Sequence, residues 1–199
     1  MRATCSQRGV SHAPTGRNLP ARGFSLPELV VIVGIILAVS VLIAPNIQAS
    51  LNAYRLNTAL SALSGKLSEA KFKAQAQNTD YEIVPDTVNH EYSLEQMTSA
   101  SPRSFALPAG EAPVALPMGM SFSYGSLTVP AGDPGDQPSL MQSTDICFNT
   151  QGMPVDNNGQ PTSANAFYLD YQGLYGAVTV SLAGRVQTWL WNGSEWTYK

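Results

Sequence analysis

The sequence predicts an α+β protein, with one long N-terminal helix of membrane character running into a C-terminal antiparallel β-domain. Three observations carry this expectation. No residue from Leu29 to Ala44 is charged, and such a run suits the ~20 apolar residues of a transmembrane helix. Farther on, Leu56, Leu60, Leu63, Leu67, Ala70 and Ala74 recur in alternating steps of four and three, which puts them on one helical face. After Asn78 the period becomes two, in short runs broken by Gly, Pro, Asn and Asp.

Composition narrows the class. The 199 residues suit one modest domain plus an anchor. Charged residues make up 13%, with 16 Gly and 14 Pro, a balance closer to a β-rich exported domain than to a cytosolic helical enzyme. The net charge of −3 hides a split: Arg2, Arg8, Arg17 and Arg22 precede Phe24, and no acid does. Without residues 1–23, seven of the 11 basic side chains remain against all 14 acids, a formal −7. That remainder repels nucleic acid on average, and the basic leader belongs on the cytoplasmic side of a membrane. Cys5 lies in the leader, so Cys147 stands alone without it and forms no intramolecular disulfide. In the strand-like Asp145-Ile146-Cys147-Phe148-Asn149, it reads as a buried structural thiol.

The elements follow in order. Residues 1–23 mix Gly, Pro, Ser and Arg without a period, and no stable fold is expected there. A helix is expected from about Leu26 to about Gln77. Pro27 falls in its first turn, where a missing N–H costs nothing. Pro45 falls inside it, where a kink or local melting is expected, as a membrane exit or as a hinge. Arg55, Lys66, Glu69 and Lys73 lie largely off the leucine stripe.

Strands are expected around 81–84, 92–95, 104–107, 120–124, 146–148, 166–169, 177–182, 186–191 and 195–198. Ala183-Gly184 and Asn192-Gly193 read as tight turns, which makes the C-terminus two successive hairpins. Residues 130–138 and 150–165 read as loops. An antiparallel sheet or a small sandwich accommodates this pattern, and the long-range pairing is left open.

The stretch Arg22-Gly23-Phe24-Ser25-Leu26-Pro27-Glu28, with the apolar run behind it, resembles the class III signal of type IV prepilins and type II secretion pseudopilins. Gly23, Phe24, Leu26, Glu28 and Leu29 match that pattern, while Pro27 departs from the commonest residue. The resemblance implies that prepilin peptidase cleaves between Gly23 and Phe24, that Phe24 is N-methylated, and that Glu28 is the assembly carboxylate. An ordinary secretory signal would instead place its cleavage site, with small residues, after the apolar core. A plain anchor leaves Gly-Phe-x-x-x-Glu unexplained.

Downstream, Leu107-Pro108, Leu116-Pro117-Met118-Gly119, Cys147-Phe148-Asn149-Thr150-Gln151-Gly152 and Val180-Ser181-Leu182-Ala183-Gly184-Arg185-Val186 resemble the H-type minor pseudopilin and FimT-type minor pilin family. That implies a long helix packed on two β-sheets. It also implies a leader over 1–23, a transmembrane and assembly helix over 24–50, and a periplasmic pilin-like domain over 51–199. The implied place is the inner membrane, single-pass, with the C-terminal domain in the periplasm or filament. Implied partners are other pilin or pseudopilin subunits, prepilin peptidase and the inner membrane. The implied function is a structural subunit of a type II secretion pseudopilus or a type IV pilus. The alternative is a DNA-binding minor pilin for DNA uptake.

Catalytic signals are missing. Apart from His12 in the leader, His90 is the only histidine. The chain contains no Gly-x-Ser-x-Gly, CxxC, HExxH or phosphate-cradling Gly loop. No catalytic residue, cofactor or metal is therefore expected, and the chain is not read as an enzyme. Asp133, Asp136 and Asp156-Asn157-Asn158 read as turn residues rather than calcium ligands. Arg185 is a candidate ligand or DNA contact. DNA-binding relatives carry further basic residues near this ending, whereas Val186, Gln187 and Thr188 follow here and only Lys199 adds a positive charge. Phosphate binding needs several cations, so nucleic acid is disfavoured. Trp189, Trp191 and Trp196 suit a packed face better than base stacking.

Overall fold

The computed structural model describes residues 24–132, 140, 142–163 and 165–199, with side chains described throughout except at 41–46. The leader with Cys5, His12 and Gly23, and the acids Asp133 and Asp136, lie outside the described residues. One helix, α1, spans Leu26–Gln77, the bounds expected from the sequence. The Ser25 carbonyl accepts the N–H groups of Glu28 and Leu29 at 3.0 and 3.1 Å, which sets the helix start. Local melting at Pro45 is not observed: α1 runs through it, and the second compact unit of the chain begins at Pro45.

In the first unit, every described side chain from Phe24 to Ser40 is exposed. Among the described residues, no helix is long and apolar enough to cross a membrane.

The second unit has two antiparallel sheets. The first contains β1 (Tyr81–Asp86), β2 (Glu91–Ala100), β3 (Arg103–Ala106), β4 (Val114–Ala115), β6 (Ile146–Phe148) and β7 (Pro154–Val155). Its order is β3-β2-β1-β6-β7, with β4 also paired to β2. The second contains β5 (Met120–Phe122), β8 (Asn165–Tyr171), β9 (Leu174–Val180), β10 (Val186–Trp191) and β11 (Trp196–Tyr198), in the order β11-β10-β9-β8-β5. The leucine stripe joins them: Leu60, Leu63, Leu67, Ala70 and Ala74 are each 0% exposed. They share one core with Ile83, Leu94, Ile146 and Phe148 of the first sheet and Phe167, Leu169, Val178 and Val180 of the second.

The turns at Ala183-Gly184 and Asn192-Gly193 join β9 to β10 and β10 to β11, as expected. A third hairpin precedes them. Tyr171 pairs with Leu174 across Gln172-Gly173, both with positive φ (53° and 81°), as a type I′ turn requires. Strands β4 and β7 depart from the sequence expectation. Each has two residues, too few for a period to show, and β7 lies within the stretch that composition marks as a loop. Its place comes from register: Cys147 pairs with Val155 and Phe148 with Pro154.

Candidate assembly and binding sites

The start of α1 carries the residues that the signal-like sequence singles out. Ser25 stands at the N-cap and Glu28 three residues on, the spacing of a capping box. Glu28 Oε2 lies 3.5 Å from the Ser25 N–H, a long contact in the box's sense. A carboxylate is also favoured there by the partial positive charge of the helix end. Phe24, just outside the helix, is 74% exposed. From Leu29 to Tyr54 no charged residue follows, so Glu28 is the sole charge on a surface of Leu, Val and Ile. The chemistry on offer is therefore one anionic acceptor at the end of an apolar rod. Gly23, the other half of the expected cleavage junction, lies outside the described residues.

In the second unit, the two downstream motifs meet. The turn ending at Gly152 and the turn at Gly184 approach so closely that a Cβ on Gly184 would sit 2.1 Å from the Gly152 carbonyl oxygen. Helix α1 holds both. Lys71 Nζ donates to the Gly184 carbonyl at 2.9 Å, and Gln75 Nε2 donates to the Gln151 carbonyl at 3.0 Å. Nothing in the sequence spacing announces this contact, because it joins residues of separate sheets.

Arg185 is exposed and directly precedes β10. Its N–H donates to Ser181 Oγ at 3.2 Å, and its carbonyl accepts the Ser181 N–H at 3.0 Å. The tryptophans pack inside the unit. Trp189 is buried and donates Nε1–H to Thr179 Oγ1 at 2.9 Å. Trp196 donates to the Val129 carbonyl at 2.8 Å and contacts the rings of Tyr168 and Trp191. These rings are engaged rather than splayed for bases. A gel shift with the full chain in detergent is expected to show no DNA complex at physiological salt and micromolar protein. Micromolar binding that vanishes in Arg185→Ala would reverse this reading.

Lys66, Lys73, Glu69 and Glu111 form an ion-pair quartet. Lys66 bonds Glu69 at 3.0 Å and Glu111 at 3.1 Å, and Lys73 bonds Glu69 at 2.9 Å and also Glu111. Burial pulls both lysines down, but the two carboxylates outweigh it and hold them above the usual lysine range. This quartet fastens the Glu111 loop to α1.

Asp156 closes its own turn. Its Oδ1 accepts the N–H groups of Gln160 and Asn158, and these bonds keep the carboxyl below its usual range. Among the described residues, no group of three His, Cys, Asp or Glu is placed to hold a metal ion. Cys147 is buried, and burial pushes its thiol up to about 12 despite the nearby Arg103. That is the character of a structural rather than a reactive cysteine.

The fold is α+β, an N-terminal helix followed by antiparallel sheets. Solved structures similar to it include the minor pseudopilin EpsH from the type 2 secretion system of Vibrio cholerae. That similarity is 12% in identity, covers 70% of this chain and 98% of that one, and has a TM-score of 0.45. Another is the type IV minor pilin FimU of Pseudomonas aeruginosa, 18% identical, covering 73% of this chain and 94% of that one, with a TM-score of 0.48. No family model matches the chain, and no curated protein matches it.

Proposed function

We propose that this chain is a minor subunit of a type II secretion pseudopilus or a type IV pilus, assembled through the N-terminal half of α1. The observation that carries this reading is the surface from Phe24 to Ser40, exposed on every face, predominantly apolar and charged only at Glu28. A helix apolar all round belongs in lipid or among other helices. A lone carboxylate there is costly unless paired. The α-ammonium of a neighbouring subunit's Phe24 is a fitting partner, made available when prepilin peptidase cuts after Gly23. In this reading residues 1–23 are removed and Phe24 is N-methylated. Residues 24–50 cross the inner membrane once or pack in the filament, and 51–199 lie in the periplasm or on the filament. The role is structural rather than enzymatic.

Intact-mass analysis of membrane-extracted protein is expected to give an N-terminus at methylated Phe24. Another terminus would reject the cleavage. Glu28→Ala is expected to leave membrane fractionation unchanged and to cut co-assembly with the other subunits more than tenfold. Removing one partner of a buried ion pair costs about 3–5 kcal/mol. Normal cross-linking into the filament would sink the role given to Glu28.

A further inference from the structure

The chain contains two Asn-Gly pairs, Asn158-Gly159 and Asn192-Gly193, and the fold prepares them for opposite fates. A glycine has no Cβ to keep its backbone nitrogen away from the preceding carboxamide, so an asparagine in this position can be attacked by its own chain. Both asparagines are exposed and lie in turns. The difference lies in what holds the two reacting groups.

At Asn158 the nucleophile is occupied. The Gly159 N–H donates to the Asp156 carbonyl at 2.9 Å. The Asp156 carboxylate also sits against this residue: its Oδ1 accepts the Asn158 N–H at 2.9 Å, and its Oδ2 lies 3.5 Å from Asn158 Nδ2. An anion at that place opposes the negative charge that attack would build on the carboxamide.

At Asn192 both conditions are reversed. Among the described residues the Gly193 N–H makes no hydrogen bond. Gly193 has a φ of +104° and nothing within 4 Å of its Cβ position, so no neighbouring group shields the attacking nitrogen. The electrophile is activated. Asn192 Oδ1 accepts the Ser194 N–H at 2.9 Å, the Ser194 hydroxyl at 3.0 Å and the Glu195 N–H at 2.9 Å. Three donors thus point at the atom that takes up charge when Cγ becomes tetrahedral, as in an oxyanion hole. We propose that Asn192 is a self-modification site, where the Gly193 nitrogen closes on Asn192 Cγ to a succinimide that water then opens to aspartate or isoaspartate.

The step balances with water as the sole co-reactant. The Gly193 nitrogen gives up its proton and bonds to Cγ, and the carbonyl pair moves onto Oδ1. The pair then returns, the Cγ–Nδ2 bond breaks, and Nδ2 takes the proton and leaves as ammonia. Water adds to one of the two imide carbonyls and returns a proton to the Gly193 nitrogen. Either product adds a negative charge to the hairpin tip. Isoaspartate also lengthens the backbone by one methylene between Trp191 and Trp196, which face each other across β10 and β11, and disturbs that register. The turn is therefore a slow timer on the C-terminal edge strand.

The test incubates the full chain in detergent at 37 °C and reads ammonia release and peptide maps over time, at pH 7.5 and 8.5. Trypsin cuts after Arg185 and isolates residues 186–199, whose one asparagine is Asn192. Asn192 is expected to convert at least about tenfold faster than Asn158, the rate value of one or two hydrogen bonds to a developing charge, and faster at the higher pH. Ser194→Ala removes the hydroxyl donor and is expected to slow conversion several-fold, while Ser194→Thr keeps the hydroxyl and the rate. Gly193→Ala crowds the attacking nitrogen and is expected to stop conversion at Asn192. Equal conversion of the two pairs, faster conversion at Asn158, or a Ser194→Ala rate equal to or above that of the unchanged chain would overturn the proposal.

Discussion

Leu63→Asp is expected to abolish cooperative folding of the unit beginning at Pro45. Leu63 is 0% exposed and lies within the stripe that holds both sheets to α1. Losing its burial removes roughly 1.5–3 kcal/mol. Placing a carboxylate there without a partner adds several more kcal/mol, against a domain stability of about 5–15 kcal/mol. Leu63→Ala grades the effect, with an expected loss of about 2–5 kcal/mol, or roughly 5–15 °C in melting temperature. Circular dichroism melting of the full chain in detergent reads both. A wild-type transition in Leu63→Asp would mean that the stripe does not pack on the sheets.

The second large effect is expected at Gly184. Its φ of +70° already disfavours any side chain, and its added Cβ would collide with the backbone oxygen of Gly152 at 2.1 Å. Gly152 cannot easily yield. It too has positive φ, and a Cβ there would meet Gln75 and Lys71 of α1. Gly184→Ala is therefore expected to cost about 3 kcal/mol or more, combining left-handed strain with a forced backbone shift. Gly173→Ala separates the two terms. Gly173 has a φ of +81° with nothing within 4 Å of its Cβ position, so strain alone applies, at about 1–2 kcal/mol. Equal losses in chemical denaturation of the two variants would show that the contact between the turns adds nothing.

Both predictions mark the line between what sequence and structure each decide. Local periodicity was enough for α1 and its buried face, because a helix bonds residues four apart and its stripe repeats within one segment. Alternation and turn residues were likewise enough for the hairpin strands near the C-terminus, whose partners are adjacent in the chain. The signal-like segment from Gly23 to Glu28 is legible for the same reason: its chemistry lies in consecutive residues. The tertiary structure alone decided which strands share a sheet, since β1 pairs with β6 across some sixty residues. It also decided that the strand-like stretch at Cys147 is buried on both faces rather than alternating. It brought Gly152 against Gly184, and set Glu82 opposite Glu95. None of these leaves a local pattern. Each depends on the register of distant strands, which is set by how the whole core closes around one helix and not by any residue's own neighbours in sequence.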